Sequence, residues 1–220
     1  MVPSKRLLSF ANLLLLLLFL SPIPVRVHAQ SESSYRLLQA CFELDDDDPS
    51  TLQTIRSLLK EDGVDMNIRE PSSGQTPLMG SVLRGKPNIV DLLLEAGADA
   101  SIPEKDGYTP PHGAAFQGRT AVLQVLQRYG VVPNDAWHAD GYLPFHRACW
   151  GKTERHAAFV AYMLEQRLVD DVNVPAKSNG RTCREMTKNP MTVQVLDLYS
   201  SSTGASGGGS IDQAASSDEL

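Results

Sequence analysis

A short glycine–threonine–proline pattern recurs along the chain at almost constant spacing, and it limits the fold more than any other feature. The copies are Gly74–Pro77, Gly107–Pro110 and Gly141–Pro144, with a weaker echo at Gly180–Cys183. Their first glycines lie 33, 34 and 39 residues apart. A period of this length is typical of a solenoid, in which no unit can bury its apolar face alone and neighbouring units must stack on it.

Each unit reads as two helices. In the clearest one, proline opens a helix from Pro77 to about Leu83, since the first helical N–H needs no partner. Gly85 breaks it, and the apolar run 89–94 forms a second helix that Gly97 ends in a left-handed turn. The same plan is predicted for 106–133 and 140–174, the latter with a longer loop at Gly151–His156.

The end units are less regular. The first is predicted to hold helices at 37–42 and 51–60, with Asp48 capping the second and Pro49 at its first position. The acidic run Asp45–Asp48 lacks the ligand spacing of a calcium loop, so we expect a solvated loop. The last unit, 179–199, has a polar first helix at 184–188 and a short second helix around 193–198, as a terminal cap requires.

The repeated segment D-G-Y-T-P-P-H-G-A-A, which begins at Asp106, resembles the ankyrin repeat. The resemblance covers about 34–200, or five units with two degenerate ends. It implies an all-α solenoid in which a β-turn tip, a short inner helix and a longer outer helix follow one another. This chain departs from the pattern at Met79, Pro111 and Leu143. Pro111 is expected to tighten or shift the start of its helix, and Leu143 removes a capping hydroxyl, so that helix is expected to fray.

Ankyrin-like proteins are generally non-catalytic scaffolds that bind proteins through the turn tips and the inner helices. The resemblance places such contacts at Gln75, Leu83, Arg84, Tyr108, Phe116, Gln117, Tyr142 and Trp150. The aromatic members of this set have two interpretations. They either fill gaps between repeats or form an exposed interface, which clustered surface aromatics often mark.

Sequence motifs for catalysis are absent: there is no G-x-S-x-G, H-E-x-x-H or phosphate-binding glycine loop. His112 and His146 occupy the position where the ankyrin histidine bonds the turn backbone. The spacings of His138, His146, Cys149 and His156 match no standard zinc ligand set. We therefore expect no enzyme, no metal or other cofactor and no small-molecule substrate. The acidic net charge of -6 argues against nucleic acid as a partner.

The three cysteines are an odd number, so they cannot form a complete disulfide framework within one chain. Cys41 and Cys149 follow alanines at the small-residue position of their units, which predicts two core thiols. They lie three units apart, too far to bond with each other. Cys183 replaces the proline of the last unit and is the candidate for a reactive or intermolecular thiol, with a buried inert thiol as the alternative.

The N-terminus is typical of a cleaved signal peptide over residues 1–29. Two cations precede an apolar segment, Leu7–Leu20, which is shorter than the roughly 20 residues that span a bilayer. Val27 and Ala29 suit a signal peptidase, so we expect cleavage after Ala29 and a polar lead at 30–33. A signal anchor in the membrane is the alternative.

The C-terminus ends in Ser217, Asp218, Glu219 and Leu220, after a Ser/Gly-rich segment expected to be a flexible tail from 200 onwards. The last four residues resemble a K-D-E-L type retrieval signal, which implies a retrieval receptor and the endoplasmic-reticulum lumen.

The sequence leaves three alternative functions. The protein is a lumenal adaptor for an unidentified protein, an enzyme with an unrecognised site at Gly151–His156, or a secreted or membrane-anchored effector.

The mature protein is expected to begin at Gln30, because Val27 and Ala29 fit the peptidase pocket and Pro24 ends the apolar helix before the cut. Edman sequencing of the protein purified from a eukaryotic secretory host tests this. An N-terminus that still contains 13–20 would instead support the signal anchor.

Overall fold

The computed structural model describes residues 25–131, 133–134 and 136–203, with side chains from 32 to 200. In this part of the chain there are ten helices and no strand. They are α1 Val25–Glu43, α2 Pro49–Leu59, α3 Pro77–Arg84, α4 Pro87–Glu95, α5 Pro110–Gln117, α6 Thr120–Arg128, α7 Pro144–Cys149, α8 Glu154–Glu165, α9 Cys183–Met186 and α10 Pro190–Thr203.

The helices form five consecutive pairs stacked in two layers, which confirms the predicted all-α solenoid. The odd-numbered inner helices pack on one another in chain order, and so do the even-numbered outer helices. One continuous apolar core lies between the layers, and its largest members, such as Leu78, Leu93, Leu123, Phe145 and Phe159, are fully buried. Each helix pair therefore completes the core of its neighbour.

The turn residues begin and end the inner helices as predicted. The Thr76 hydroxyl accepts the backbone N–H of Met79 at 3.1 Å, and Pro77 takes the first helical position. Gly85 ends α3 with φ 73°, a left-handed conformation that a side chain would strain. Helix α5 likewise starts at Pro110 and is ended by Gly118, although the Thr109 hydroxyl pairs with His112 instead of capping the backbone.

The two departures from the pattern have smaller effects than expected. Despite Pro111, α5 starts at the equivalent proline and has eight residues, as α3 does. Despite Leu143, α7 also starts at its proline, because the N–H of Leu143 donates to His146 Nδ1 at 3.1 Å. The shortening of α7 to six residues occurs at its other end, where Trp150 caps the helix in a right-handed conformation and Lys152 stands at the position of Gly85 and Gly118.

Several expected boundaries differ from the structure. Helix α1 begins at Val25, so the expected polar lead at 30–33 is helical and the predicted cut after Ala29 falls within this helix. Helix α10 continues to Thr203, beyond the expected start of the tail. Helix α8 begins at Glu154, which shortens the loop expected at Gly151–His156.

The apolar leader at 7–20 and the terminal SDEL lie outside the described residues. Within the described ranges, no helix is long and apolar enough to span a bilayer.

The acidic loop is not simply solvated. Asp46 is only 8% exposed, and its carboxylate accepts the backbone N–H groups of Asn88 and Ile89 at 3.1 and 2.8 Å. It thus caps the first turn of α4, where a negative charge is favourable. Burial raises the pKa of Asp46 above its ordinary value. Asp48 caps α2 as predicted, through the N–H of Ser50 at 2.8 Å.

Side chains that follow each inner helix tie it to the preceding unit. Lys86 Nζ donates to the carbonyls of Cys41, Phe42 and Leu44, at the end of α1. Three further donors reach back in the same way: Arg119 to Leu83, His156 to Phe116, and Asn189 to Gly151 and Thr153. These bonds satisfy carbonyls that a helix end leaves without an intrahelical partner.

The cysteine prediction was wrong for two of the three residues. Cys149 and Cys183 form a disulfide with a Cα–Cα distance of 5.6 Å, and both are fully buried. Cys183 is therefore not a free reactive thiol, and Cys149 is not a core thiol. Cys183 is the first residue of α9 and Cys149 is the last residue of α7, so the bond joins these two inner helices. Cys41 is free and buried as predicted, and burial raises its pKa to about 12.

Replacing Leu93 by alanine is expected to lower the free energy of unfolding by about 2–5 kcal/mol, because Leu93 is fully buried in the second of the five units. Urea unfolding followed by circular dichroism measures this. Leu44→Ala, at a site 37% exposed, is the control and should cost less than about 1 kcal/mol. A similar loss from both variants would mean that Leu93 does not belong to the core.

Candidate protein-binding surface

A row of apolar side chains crosses the inner helices at equivalent positions. Leu83, Phe116 and Trp150 each stand six residues after the proline that opens their helix. Phe116 is 55% exposed, Trp150 is 36% exposed and Leu83 is half-buried. The structure therefore places three of the predicted contact residues on one face, at the last turn of three successive inner helices.

The turn-tip aromatics lie beside this row and pack around one arginine. Arg147 on α7 lies 4.7 Å from the ring centre of Tyr108, 5.2 Å from that of Tyr142 and 4.6 Å from that of Trp150. The rings of Tyr142 and Trp150 meet edge to face at 4.7 Å. This arrangement combines the two interpretations, because the rings fill the junction between units and still reach the surface.

Hydrogen bonds hold the Arg147 guanidinium in place. It donates to the Tyr108 hydroxyl at 2.8 Å and forms an ion pair with Asp140. Tyr108 in turn donates to Asp140 at 3.1 Å. Burial acts to raise the pKa of Asp140, but its hydrogen bonds with His138 and Arg147 outweigh burial and lower that pKa below its ordinary value. The carboxylate is therefore charged at neutral pH.

His138 also belongs to this cluster, which the sequence did not reveal. Its ring stacks on Tyr108 with centroids 3.8 Å apart, and Nε2 lies 2.8 Å from the Asp106 carbonyl. His138 thus joins two adjacent turn tips. The repeat pattern could have indicated this position, because His138 stands two residues before Asp140 in a turn that resembles the turn of the neighbouring unit.

A groove of about 300 Å³ opens between α3 and α5. Gly113 forms its floor, and Met79, Leu83, Tyr108 and Phe116 are among its walls. Glu104, Asp106, His112 and Arg147 complete the lining. The groove is therefore apolar inside and carries carboxylates on its turn-tip side.

The other predicted contact residues are not part of the groove lining, although Arg84 is exposed. The Arg84 guanidinium lies 4.1 Å from the ring centre of Phe42 and donates to the Gly80 carbonyl at 3.0 Å. Gln75 and Gln117 are half-buried. The structure thus brings Leu83, Tyr108 and Phe116 together at the groove, and Tyr142 and Trp150 around Arg147.

Sequence comparison agrees with this architecture. The model of the family described as ankyrin repeats (3 copies) matches residues 37–136 and 82–178, which together span more than half of the chain. The chain belongs to the ankyrin-repeat family.

Its relatives are larger proteins of several kinds. The chain is 32% identical to the tyrosine-protein kinase HTK16 of Hydra vulgaris over 66% of its own length and 19% of the kinase. It is 30% identical to the neurogenic locus Notch protein of Drosophila melanogaster, over 46% of the chain and 4% of that protein. Protein PhlB of Serratia liquefaciens is 40% identical over 38% of the chain and 37% of PhlB. The chain thus spans well under two thirds of these relatives.

The two ankyrin histidines form different hydrogen bonds. His146 is fully buried, and because its Nδ1 accepts the Leu143 N–H, its Nε2 carries the proton and donates to the Val174 carbonyl at 3.0 Å. Burial lowers the pKa of His146 below its ordinary value. His112 instead pairs through Nδ1 with the Thr109 hydroxyl at 2.9 Å. Burial first, and His138 second, lower the pKa of His112 to about 4.

The segment considered as an alternative active site is also held by structural bonds. Thr153 Oγ1 lies 2.7 Å from His156 Nδ1, and Nε2 of the same ring bonds the Phe116 carbonyl. The loop carbonyls of Gly151 and Thr153 accept from Asn189. These contacts assign His156 to the junction between ankyrin units.

Acid is expected to destabilise the fold through His112. The folded-state pKa of about 4 lies below the ordinary 6.5, so the unfolded chain binds this proton at a higher pH than the folded chain does. The contribution of neutral His112 to the free energy of unfolding is present above pH 6.5, and it is lost as the pH falls towards the pKa of the folded state. Between pH 7 and pH 5 the loss should be about 2 kcal/mol. Urea unfolding of wild type and His112→Gln at both pH values tests this, and an equal pH dependence would contradict it.

Proposed function

We propose that this ankyrin-repeat protein is a non-catalytic scaffold that binds another protein through its inner-helix face, within the lumen of the endoplasmic reticulum. The observation that carries the binding surface is the row of Leu83, Phe116 and Trp150 beside the groove at Gly113, in which both rings are exposed. A ring that is 55% exposed, as Phe116 is, contributes little to the fold and is suited to contact with a partner.

The family supports a binding role, because ankyrin repeats mediate protein–protein binding. The relatives are proteins of different kinds, among them a tyrosine-protein kinase and a Notch protein. This chain matches only a minor part of each of them. Its partner is therefore inferred from its own surface rather than from those proteins.

Three features support the secretory pathway. The signal-like N-terminus and the terminal SDEL come from the sequence. The buried Cys149–Cys183 bond adds an independent argument, since disulfides persist in oxidising compartments and are rare in the cytosol. Secretion, or retention as a signal anchor, is the alternative if the terminal residues are not read by a receptor.

Phe116→Ala is expected to weaken partner binding by about 2 kcal/mol, because a large exposed ring at the centre of the surface fits the description of an interface anchor. The partner is first captured by crosslinking in the lumenal fraction, and its affinity for purified variants is then measured by calorimetry. The melting temperature of Phe116→Ala should stay close to that of the wild type.

Tyr129→Ala is the matched control, since this ring is 41% exposed at the end of the outer helix α6. Trp150→Ala should also weaken binding, but it uncovers Arg147 and so should lower stability slightly. If Phe116→Ala and Tyr129→Ala bind the partner equally well, the inner-helix face is not the binding site.

Deleting Asp218–Leu220 is expected to send the protein into the culture medium, because no other segment resembles a retention device. Pulse-chase secretion of the full-length and truncated proteins measures this. Replacing Leu220 by valine keeps the length of the terminus but alters the last residue of the proposed signal, and it should give partial secretion. Equal secretion of the full-length and truncated proteins would contradict retrieval.

A further inference from the structure

The units built on α5 and α7 are related by a shift of 34 residues, and four equivalent pairs line the inner-helix face. Asp106 matches Asp140, Tyr108 matches Tyr142 and Phe116 matches Trp150. The fourth pair is the exception, because Gly113 stands where α7 has Arg147. The two units therefore share a carboxylate and two rings but differ in the side chain between them.

In the α7 unit, this set of residues binds a guanidinium. Arg147 is 7% exposed, stacks near the rings of Tyr142 and Trp150, and pairs with Asp140. The preceding turn contributes the Tyr108 ring and hydroxyl. The chain thus contains its own example of how this arrangement holds an arginine.

In the α5 unit, the corresponding space is the groove at Gly113. Asp106, Tyr108 and Phe116 all line it, and Glu104 adds a second carboxylate. Within the described residues, neither Glu104 nor Asp106 forms an ion pair with a lysine or arginine. Arg147 also borders the groove, but Asp140 offsets its charge.

The third equivalent position, Gly80 on α3, is already filled. The Phe42 ring occupies the space, since a Cβ added at Gly80 would meet its atoms at 2.0 Å, and the Arg84 guanidinium lies over that ring. At Gly113 the nearest atoms to an added Cβ are the flexible ends of the Met79 and Leu83 side chains, at 3.0 and 3.1 Å, and these side chains would have to shift slightly to admit it. Of the three equivalent positions, the groove at Gly113 is the one that remains open.

We propose that this groove binds the guanidinium of an arginine side chain presented by the protein partner. The arginine stacks on Phe116 and pairs with Asp106 and Glu104, as Arg147 does with Trp150 and Asp140. Arginine fits better than lysine, because its planar group both stacks on rings and bonds carboxylates in a fork. This inference rests on the proposed function and specifies the chemistry of its partner.

The test uses N-acetyl-arginine methylamide as the probe and the full-length mature protein labelled with ¹⁵N. We expect saturable shifts of the backbone amides of Asp106, Gly113 and Phe116. The neutral isostere N-acetyl-citrulline methylamide should bind at least about tenfold more weakly, and the lysine analogue should be intermediate. Equal binding of the arginine and citrulline probes, or shifts spread over the acidic surface, would overturn the proposal.

Gly113→Arg is expected to abolish probe binding, because it places the side chain of the α7 unit in the open groove. Gln124→Arg adds the same charge at an exposed site on the outer helix α6 and should leave the affinity within about twofold. Undiminished binding by Gly113→Arg would refute the proposed site. If Gly113→Arg does not fold, the Asp106→Asn variant is the deciding test. It is expected to bind the arginine probe about tenfold more weakly, and an unchanged affinity would count against the proposal.

The result is separable from that of the proposed function. A captured partner that depends on Phe116 but competes equally with the arginine and citrulline probes would overturn only the arginine assignment. The reverse outcome is that the arginine probe binds specifically at Gly113 while the partner binds Phe116→Ala and Tyr129→Ala equally well. That outcome would overturn the inner-helix face as the partner site but would leave the guanidinium site intact.

Discussion

Burial of apolar surface between successive helix pairs is the interaction on which the structure depends. A pair such as α3 and α4 has too little interior of its own, and Leu78 and Leu93 become fully buried only because neighbouring pairs cover them. Polar contacts then set the relative placement of the units. Lys86 and Asp46 tie the first unit to the second, and each satisfies a helix end that would otherwise face the core unpaired.

Because stacking uses the interior positions, the inner-helix face can vary without loss of the fold. Gly80, Gly113 and Arg147 occupy equivalent positions in three consecutive units, and the space beside each of them is occupied differently. At the first, Phe42 fills the space beneath Arg84, and at the third, the arginine comes from the helix itself. The open groove at the second position is therefore a local variation on a shared plan, and this is why it can be interpreted from its neighbours.

The last unit is held by covalent and hydrogen bonds as well as by apolar packing. Its inner helix has only four residues, of which Cys183 and Met186 are buried, while its outer helix packs along α8. The disulfide to Cys149 and the two bonds of Asn189 fasten it to the preceding unit. A covalent tie of this kind restricts the unfolded ensemble and offsets a small core, as it does in secreted domains.

The amino-acid sequence by itself determined the fold and the start of the inner helices α3, α5 and α7. The spacing of Gly74, Gly107 and Gly141, together with the prolines that follow them, reflects local backbone geometry. It can therefore be interpreted without any tertiary information. It also located the exposed ring of Phe116. Only the tertiary structure decided the Cys149–Cys183 pairing, the burial of Asp46 and the enclosure of Arg147 by rings from two units. Each of these depends on how far one unit is shifted against the next. That shift is set by packing across loops of unequal length, and the local pattern does not encode it.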